Sequence, residues 1–239
     1  MASKVDRPGA CHNFHRAVRK LAKYCIKVKL LAEDPTKDIE LPKLDPNGRR
    51  AWSDEHIAMY ERRWPIGSME RLALALALYL ALRREDLIVI GAQHIENGVL
   101  HFCPQKTQRS TGVVLAIPIH PELASILDAT SSTHPTFLIN QRGKPFLPGS
   151  FSQWFAAACK SAGLPRGLSV HGLRKAACRR LAEAGCSAHQ IMAISGHTTL
   201  KEVERYTKGA EMRRMARSAI KMVAGAFRAA TEQVIDKPF

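Results

Sequence analysis

The run of residues 72–82 restricts the fold more than any other part of the chain. It holds 11 apolar residues in a row, whereas crossing a bilayer as a helix takes about 20. The run therefore reads as a helix buried in protein, and the rest of the chain must supply the elements that cover it. At 239 residues there is material for one main domain and a small appendage. The N-terminus lacks the basic, apolar and small-residue succession of a secretory signal, so nothing in it directs export.

Upstream, Phe14, Val18, Leu21 and Cys25 recur at helical spacing in a Lys/Arg-rich stretch. This predicts one basic amphipathic helix over roughly 12–31, ending before Asp34-Pro35, where proline disfavours continuation. Residues 35–50 carry three prolines and Asn47-Gly48 and read as a linker, with a boundary near residue 50. Ser53, followed by Asp54 and Glu55, predicts an N-cap and a helix through about Arg63. Asn97-Gly98 lies between short runs rich in Val, Ile and Phe, and a further run covers 113–119. These predict a small three-stranded antiparallel meander with Lys106 near its second turn. The remainder is expected to be helical. Ser150 with Gln153, Ser187 with Gln190 and Thr199 with Glu202 have capping-box spacing, and Gly163 and Gly185 stand where helices should end. The last helix would carry Met212, Met215, Ala219, Ile220, Val223 and Phe227 on one face. The expected class is α+β, mainly α-helical, with the small sheet on one side.

Charge narrows the partners. Lys and Arg number 36 against 21 Asp and Glu, a formal net charge of +15. A polyanion is the natural partner, and ribosomal, heparin-binding and membrane-surface proteins share that bias. The cysteines at 11, 25, 103, 159, 178 and 186 form no CxxC pair or zinc-ribbon spacing and fit reduced cytoplasmic thiols. There is no GxxxxGK[ST] loop and no GxGxxG after a strand. Between Leu87 and Ala182 the only acids are Glu96, Glu122 and Asp128, too scattered to suggest a two-metal carboxylate site. A basic protein acting on phosphodiesters without metal would use Arg and His to stabilise transition-state charge.

Several residues could serve. His171 and Arg174, at i and i+3 in HGLRK, share a helical face and can reach one phosphate, although an exposed basic helix would look the same. His197 follows Gly196, a position where a histidine is often only a cap. Tyr206 comes nine residues later, flanked by Glu204, Arg205, Thr207 and Lys208, and is the tyrosine a substrate could reach. A phenol of ordinary pKa about 10 needs neighbouring cations or a base to act as a nucleophile. Arg83 closes the apolar run, where the plainer reading is a helix end turned to solvent. Lys106 taken alone would be an ordinary turn lysine.

Together these segments resemble the tyrosine recombinases, or phage integrases, over about residues 50–210. The first arginine box matches Leu80-Ala81-Leu82-Arg83-Arg84-Glu85-Asp86, with Leu80 and Ala81 in place of the frequent Thr-Gly. Lys106 lies in Pro104-Gln105-Lys106-Thr107, the HxLR box is His171-Gly172-Leu173-Arg174, the LGH-like box is Ile194-Ser195-Gly196-His197, and the nucleophile falls on Tyr206. The boxes come in the family's order. The resemblance implies the recombinase catalytic fold over 51–210. Residues 1–50 would be a remnant of the core-binding domain plus a linker, and 211–239 a C-terminal helix and tail.

It also implies a mechanism in which Tyr206 attacks a DNA phosphate to give a 3′-phosphotyrosine. Arg83 and Arg174 would clamp the non-bridging oxygens, His197 would donate a further hydrogen bond, and His171 would assist removal of the phenol proton. Lys106 would protonate the leaving oxygen, and Asp86 would orient the cluster. No cofactor, metal or ATP is implied. The partners implied are double-stranded DNA and further copies of the chain in a tetramer, with the helix at 211–227 as a docking element and no membrane. A type IB topoisomerase-like nicking-closing enzyme, a non-catalytic DNA-binding remnant and a basic RNA-binding protein are the alternatives.

Overall fold

The computed structural model describes residues 8–44, 48–108, 112–130 and 133–235, with side chains through 224. The chain divides into two units at Gly48/Arg49. In the first, α1 (Pro8–Lys27) ends about two turns before Pro35 can act. Lys29 adopts a left-handed conformation (φ 59°), and the Leu30 amide returns to the Cys25 carbonyl at 2.8 Å, closing the helix without proline. The segment that follows returns along the helix. His12 Nε2 meets the Pro42 carbonyl at 2.8 Å and His15 Nε2 the Thr36 carbonyl at 3.1 Å. Thr36 is buried and donates its amide and hydroxyl to Asp34.

The second unit is built around the apolar run. Ser68 caps α3 (Met69–Leu80) by accepting the Arg71 amide at 3.2 Å. Leu72, Ala73, Leu74, Ala75, Leu76, Ala77 and Leu80 are all buried, as a helix apolar on every side requires. An aromatic group of Trp52, Tyr60, Phe151 and Phe155 fills the space beside it. These rings come from the segment before α2 (Asp54–Arg63), from α2 itself and from α7 (Pro148–Ser161). Two indole nitrogens find carbonyl partners. Trp52 donates to the Ser169 carbonyl at 3.0 Å and Trp64 to the Ala158 carbonyl at 3.2 Å.

The sheet has the expected meander. β1 (Ile95–Glu96), β2 (Val99–Phe102) and β3 (Leu115–Pro118) pair antiparallel in the order 1-2-3. Asn97 and Gly98 both have positive φ in the tight turn. Leu100 faces Ile117 and Phe102 faces Leu115, and all four are buried. Lys106 does not sit on a bare turn, because a helical turn, α5 (Gln105–Gln108), follows β2. The other short helices are α4 (Arg84–Leu87) and α6 (Pro121–Ala129).

The rest of the chain departs from a wholly helical reading. From residue 133 to Leu147 the chain is irregular, tied down by Phe137 N–H to the Ile90 carbonyl and by a bridge between Ile139 and Pro145. Ser150 is not an N-cap. The helix α7 starts earlier, at Pro148, whose fixed φ suits a first turn, and the Ser150 hydroxyl reaches back to the Leu147 amide at 3.1 Å. The Ser187/Gln190 box does cap α9 (Ala188–Ser195), at 3.3 and 2.7 Å. Between them lies α8 (Val170–Glu183), and α10 (Leu200–Ile235) is one helix that carries both Tyr206 and the methionine stripe. The side chain of Phe227 lies outside the described residues.

Candidate active site

Where α3 stops, Ala81 turns into the left-handed region (φ 48°). This break in the helix returns Leu82 to the core and starts a new helix at Arg83, which becomes the N-cap of α4. The HGLR segment opens α8 against the chain entering the unit. A Cβ on Gly172 would stand 2.3 Å from the Arg50 carbonyl oxygen and 3.0 Å from the Trp52 ring. No other residue fits there. This close crossing seats the first turn of α8 and with it Arg174.

Arg174 is 3% exposed. Its Nη1 donates to the carbonyls of Ala81, at 2.5 Å, and Ser195, at 2.7 Å, which tie α8 to the end of α3 and the end of α9. Its Nη2 is buried with no partner, and so is Nη1 of Arg83. Both arginines line a cleft of about 480 Å³ shared with Lys106, His171, His197, Arg49, Arg84 and Ser152, among others. Burial and the neighbouring Arg83 pull Arg174 down to about 10, which leaves it a cation at neutral pH. Five basic side chains (Arg49, Arg83, Arg84, Lys106, Arg174) face two carboxylates (Glu85, Glu202) across this cleft. The excess positive charge in a partly dry site is the condition for holding a polyanion.

The two histidines are neutral. Burial, reinforced by Arg174, Arg83, His171 and Lys106, takes His197 down to about 3. More than a third of His171 meets solvent, yet burial of its inner side together with Lys175, Arg174, Arg49 and Arg83 still lowers it. Asp86 is 1% exposed and accepts the Gln105 amide at 3.0 Å, so it joins α4 to the turn that carries Lys106. Burial raises its pKa, against the pull of that amide, Arg83 and Arg174.

Gly196 ends α9 at φ 66°, and a Cβ there would crowd Leu115 at 3.1 Å. This turn delivers His197, whose Nδ1 lies 2.6 Å from the hydroxyl of Ser195, a residue with no exposure at all.

Five of the six candidate residues, Arg83, Lys106, His171, Arg174 and His197, therefore line one cleft. Tyr206 is not among the lining residues. It is half-buried, packed with Cys178, Ala182, Ile191, Val203 and Ala210, and its ring centre is 6.4 Å from that of His197. Burial and Cys178 raise its phenol against Arg174 and Arg205, so it is protonated at neutral pH. One helical turn earlier on α10, Glu202 does line the cleft. Reading the sequence missed Arg49, Arg84, Ser152, Ser195 and Glu202. Arg84 donates to Ser152 at 2.8 Å and pairs with Glu85. Its position beside Arg83 was the available signal, whereas Ser152 and Ser195 offered none. Among the described residues, no three His, Cys, Asp or Glu side chains are grouped to hold a metal ion, and no helix is long and apolar enough to cross a membrane.

Comparison with known proteins agrees with this geometry. The phage integrase family profile matches residues 55–213. Tyrosine recombinase XerC of Rickettsia rickettsii (strain Sheila Smith) is 26% identical over 215 residues, covering 87% of this chain and 69% of the relative. Tyrosine recombinase XerD of Pseudomonas putida is 22% identical over 223 residues, covering 87% and 73%. Among solved structures, a lambda integrase (75–356) dimer bound to a COC′ core site superposes with a TM-score of 0.71 at 22% identity, covering 86% of this chain and 76% of the other. The Tn1549 transposon integrase in complex with a circular intermediate DNA gives 0.66 at 17%, covering 85% and 78%. The fold is thus that of integrase catalytic domains, and the chain belongs to the phage integrase family, the tyrosine recombinases, enzymes of site-specific DNA recombination that cleave and rejoin DNA strands.

Proposed function

We propose that this chain recombines double-stranded DNA through a 3′-phosphotyrosine formed on Tyr206, in the cleft of Arg83, Lys106, His171, Arg174 and His197. The observation that carries the reading is the pair of buried, unpartnered guanidinium N–H groups, Arg83 Nη1 and Arg174 Nη2, on residues lining one cleft. A buried donor without an acceptor is costly, and two of them on one cleft mark the place of an oxyanion. In this reading the Tyr206 oxygen bonds phosphorus as its proton leaves with help from His171. The bond to the 5′ oxygen breaks, and Lys106 protonates that oxygen. The two arginines and His197 hold the non-bridging oxygens, each such donor being worth about 10²–10³ in rate. Asp86 keeps α4 and the Lys106 turn in register. The phosphotyrosine retains the bond energy, so the reverse attack by a 5′ hydroxyl rejoins the strand without ATP.

Strand exchange needs several copies on DNA. A lambda integrase tetramer bound to a Holliday junction is among the similar structures. On α10, Met212, Met215, Ile220 and Val223 are exposed, a stripe suited to docking on a neighbouring copy within a tetramer. The site of action is the cytoplasm, on bacterial or phage DNA.

The position of Tyr206 outside the cleft lining favours a second reading, a DNA-binding protein that does not cut. A suicide DNA substrate carrying the chain's own site separates the two. Denaturing gels should show a covalent adduct with the wild type and none with Tyr206→Phe. DNA binding without any adduct would establish the second reading, and an adduct surviving in Tyr206→Phe would remove Tyr206 as nucleophile. Relaxation of supercoils without exchange between duplexes would instead mark a topoisomerase-like enzyme.

A further inference from the structure

Ser195 stands where two cleft side chains are aligned from one buried point. Its carbonyl accepts Arg174 Nη1 at 2.7 Å, and its hydroxyl oxygen lies 2.6 Å from both the Ile191 carbonyl oxygen and His197 Nδ1. A hydroxyl has one proton, and a carbonyl oxygen can only accept. The Ser195 proton is therefore committed to Ile191, and the short contact with His197 is a hydrogen bond only if Nδ1 donates. The neutral ring then carries its single proton on Nδ1, and Nε2, on the opposite edge, is bare.

We propose that Ser195 is a positioning residue that holds neutral His197 as the Nδ1–H tautomer, so that His197 becomes a donor to the phosphate only by taking up a proton at Nε2. The groups around His197 and Ser195 are Arg174 and His171 from α8, Cys178 from α8 beside Ser195, Arg83 ahead of α4, Lys106 from α5, and Tyr206 and Glu202 from α10. Burial, reinforced by the repulsion of the cations among them, keeps the ring neutral in the free protein. An oxyanion seated between Arg83 and Arg174 offsets that repulsion and supplies the acceptor for a new Nε2–H. The step adds one proton from solvent and one positive charge to the ring, and no other bond changes. This second half rests on the phosphate reading of the cleft, whereas the tautomer belongs to the free protein.

The experiment is a long-range proton–nitrogen correlation of the histidine rings in the intact, nitrogen-labelled chain at neutral pH, with the His197 signals identified by their loss in His197→Asn. Sulfate, a tetrahedral oxyanion that does not titrate near neutrality, is the probe. The free protein should show Nδ1 protonated and Nε2 bare, and saturating sulfate should protonate both nitrogens. Ser195→Ala, which keeps the carbonyl to Arg174, should shift the ring toward the Nε2–H form, and Ser195→Thr should restore the wild-type pattern. An Nε2–H or doubly protonated ring in the free wild type would overturn the proposal. So would an Nδ1–H pattern unchanged in Ser195→Ala, or bound sulfate with Nε2 still bare. Nδ1–H together with no sulfate binding would uphold the role of Ser195 and count against the phosphate reading instead.

Discussion

The two faces of α8 treat arginine in opposite ways. On the outer face Arg179 and Arg180 reach Asp54 at 3.1 and 3.0 Å, and Arg179 also reaches Glu183 at 3.1 Å. Each charge there meets an opposite one, and the Arg179 contact leads the causes that lower the Asp54 carboxyl. On the inner face Arg174, five residues earlier on the same helix, is far more deeply buried and meets two carbonyls at hydrogen-bond distance, while Asp86, whose charge also acts on it, is engaged by a backbone amide. Neutralised charges hold a surface together, whereas a buried charge satisfied only in part by carbonyls, and not in sign, is prepared for something that arrives from outside.

That contrast can be broken in four ways. The largest effect should come from Arg174→Ala, which removes a charge-bearing donor from the cleft and strands the Ala81 and Ser195 carbonyls. Adduct formation should fall by about 10²–10³ or more, and Arg174→Lys should recover little because it lacks the planar fork. Near-normal adduct formation in single-turnover assays would show the inner face to be structural only. Next comes Gly172→Ala, where the new Cβ must displace the chain at Arg50, costing about 1–3 kcal/mol; an unchanged melting temperature would contradict the close crossing.

The third is a pH effect. His197 is depressed to about 3, so the unfolded chain binds its proton first as pH falls below the ordinary histidine range of about 6.5. Stability linked to this ring is complete above that range and is lost on acidification toward about 3. His197→Asn should flatten the melting-temperature profile between about pH 6.5 and 4, and an equally steep profile would remove the ring as its source. The smallest effect belongs to Arg179→Ala on the outer face. Exposed pairs of this kind contribute under about 1 kcal/mol, and cleavage should stay within about twofold of wild type because nothing in the cleft moves.

Much of this was legible in residue order. The LALRRED, HGLR, QKT and GH boxes put five candidate side chains into one cleft because each lies at the end of a helix or beside a turn, where local spacing sets position. The run 72–82 alternates Leu and Ala with the period of a strand, yet it folds as helix. Leu and Ala are strong helix formers, and a helix buried on every side needs no stripe. Other features depended on contacts between distant segments. Tyr206 looks exposed from its neighbours Glu204, Arg205 and Lys208, but a helix turns 100° per residue and Val203, Thr207 and Ala210 carry its side of α10 inward. Ser195 reads as an ordinary residue before a capping glycine, and only the meeting of α8 with α9 gives it Arg174 and His197 as partners. Ser150 looked like a cap because its spacing to Gln153 is right, and Pro148 moved the start of the helix ahead of it.

The crossing of residues 50–52 over Gly172 also bears on how this motif can vary. The glycine inside the HGLR box makes no bond a substrate would notice; it is confined by a carbonyl oxygen that a Cβ would meet at 2.3 Å. Substitution there is opposed by main-chain clearance, so a restricted position inside a reactive motif reports the route of the backbone. The segment around Arg50, by contrast, contributes a carbonyl, which every amino acid possesses. Drift in residue type at Arg50 itself should pass unpunished as long as the path of the chain is kept, whereas its neighbours Arg49, in the cleft, and Trp52, in the core, are held by their side chains.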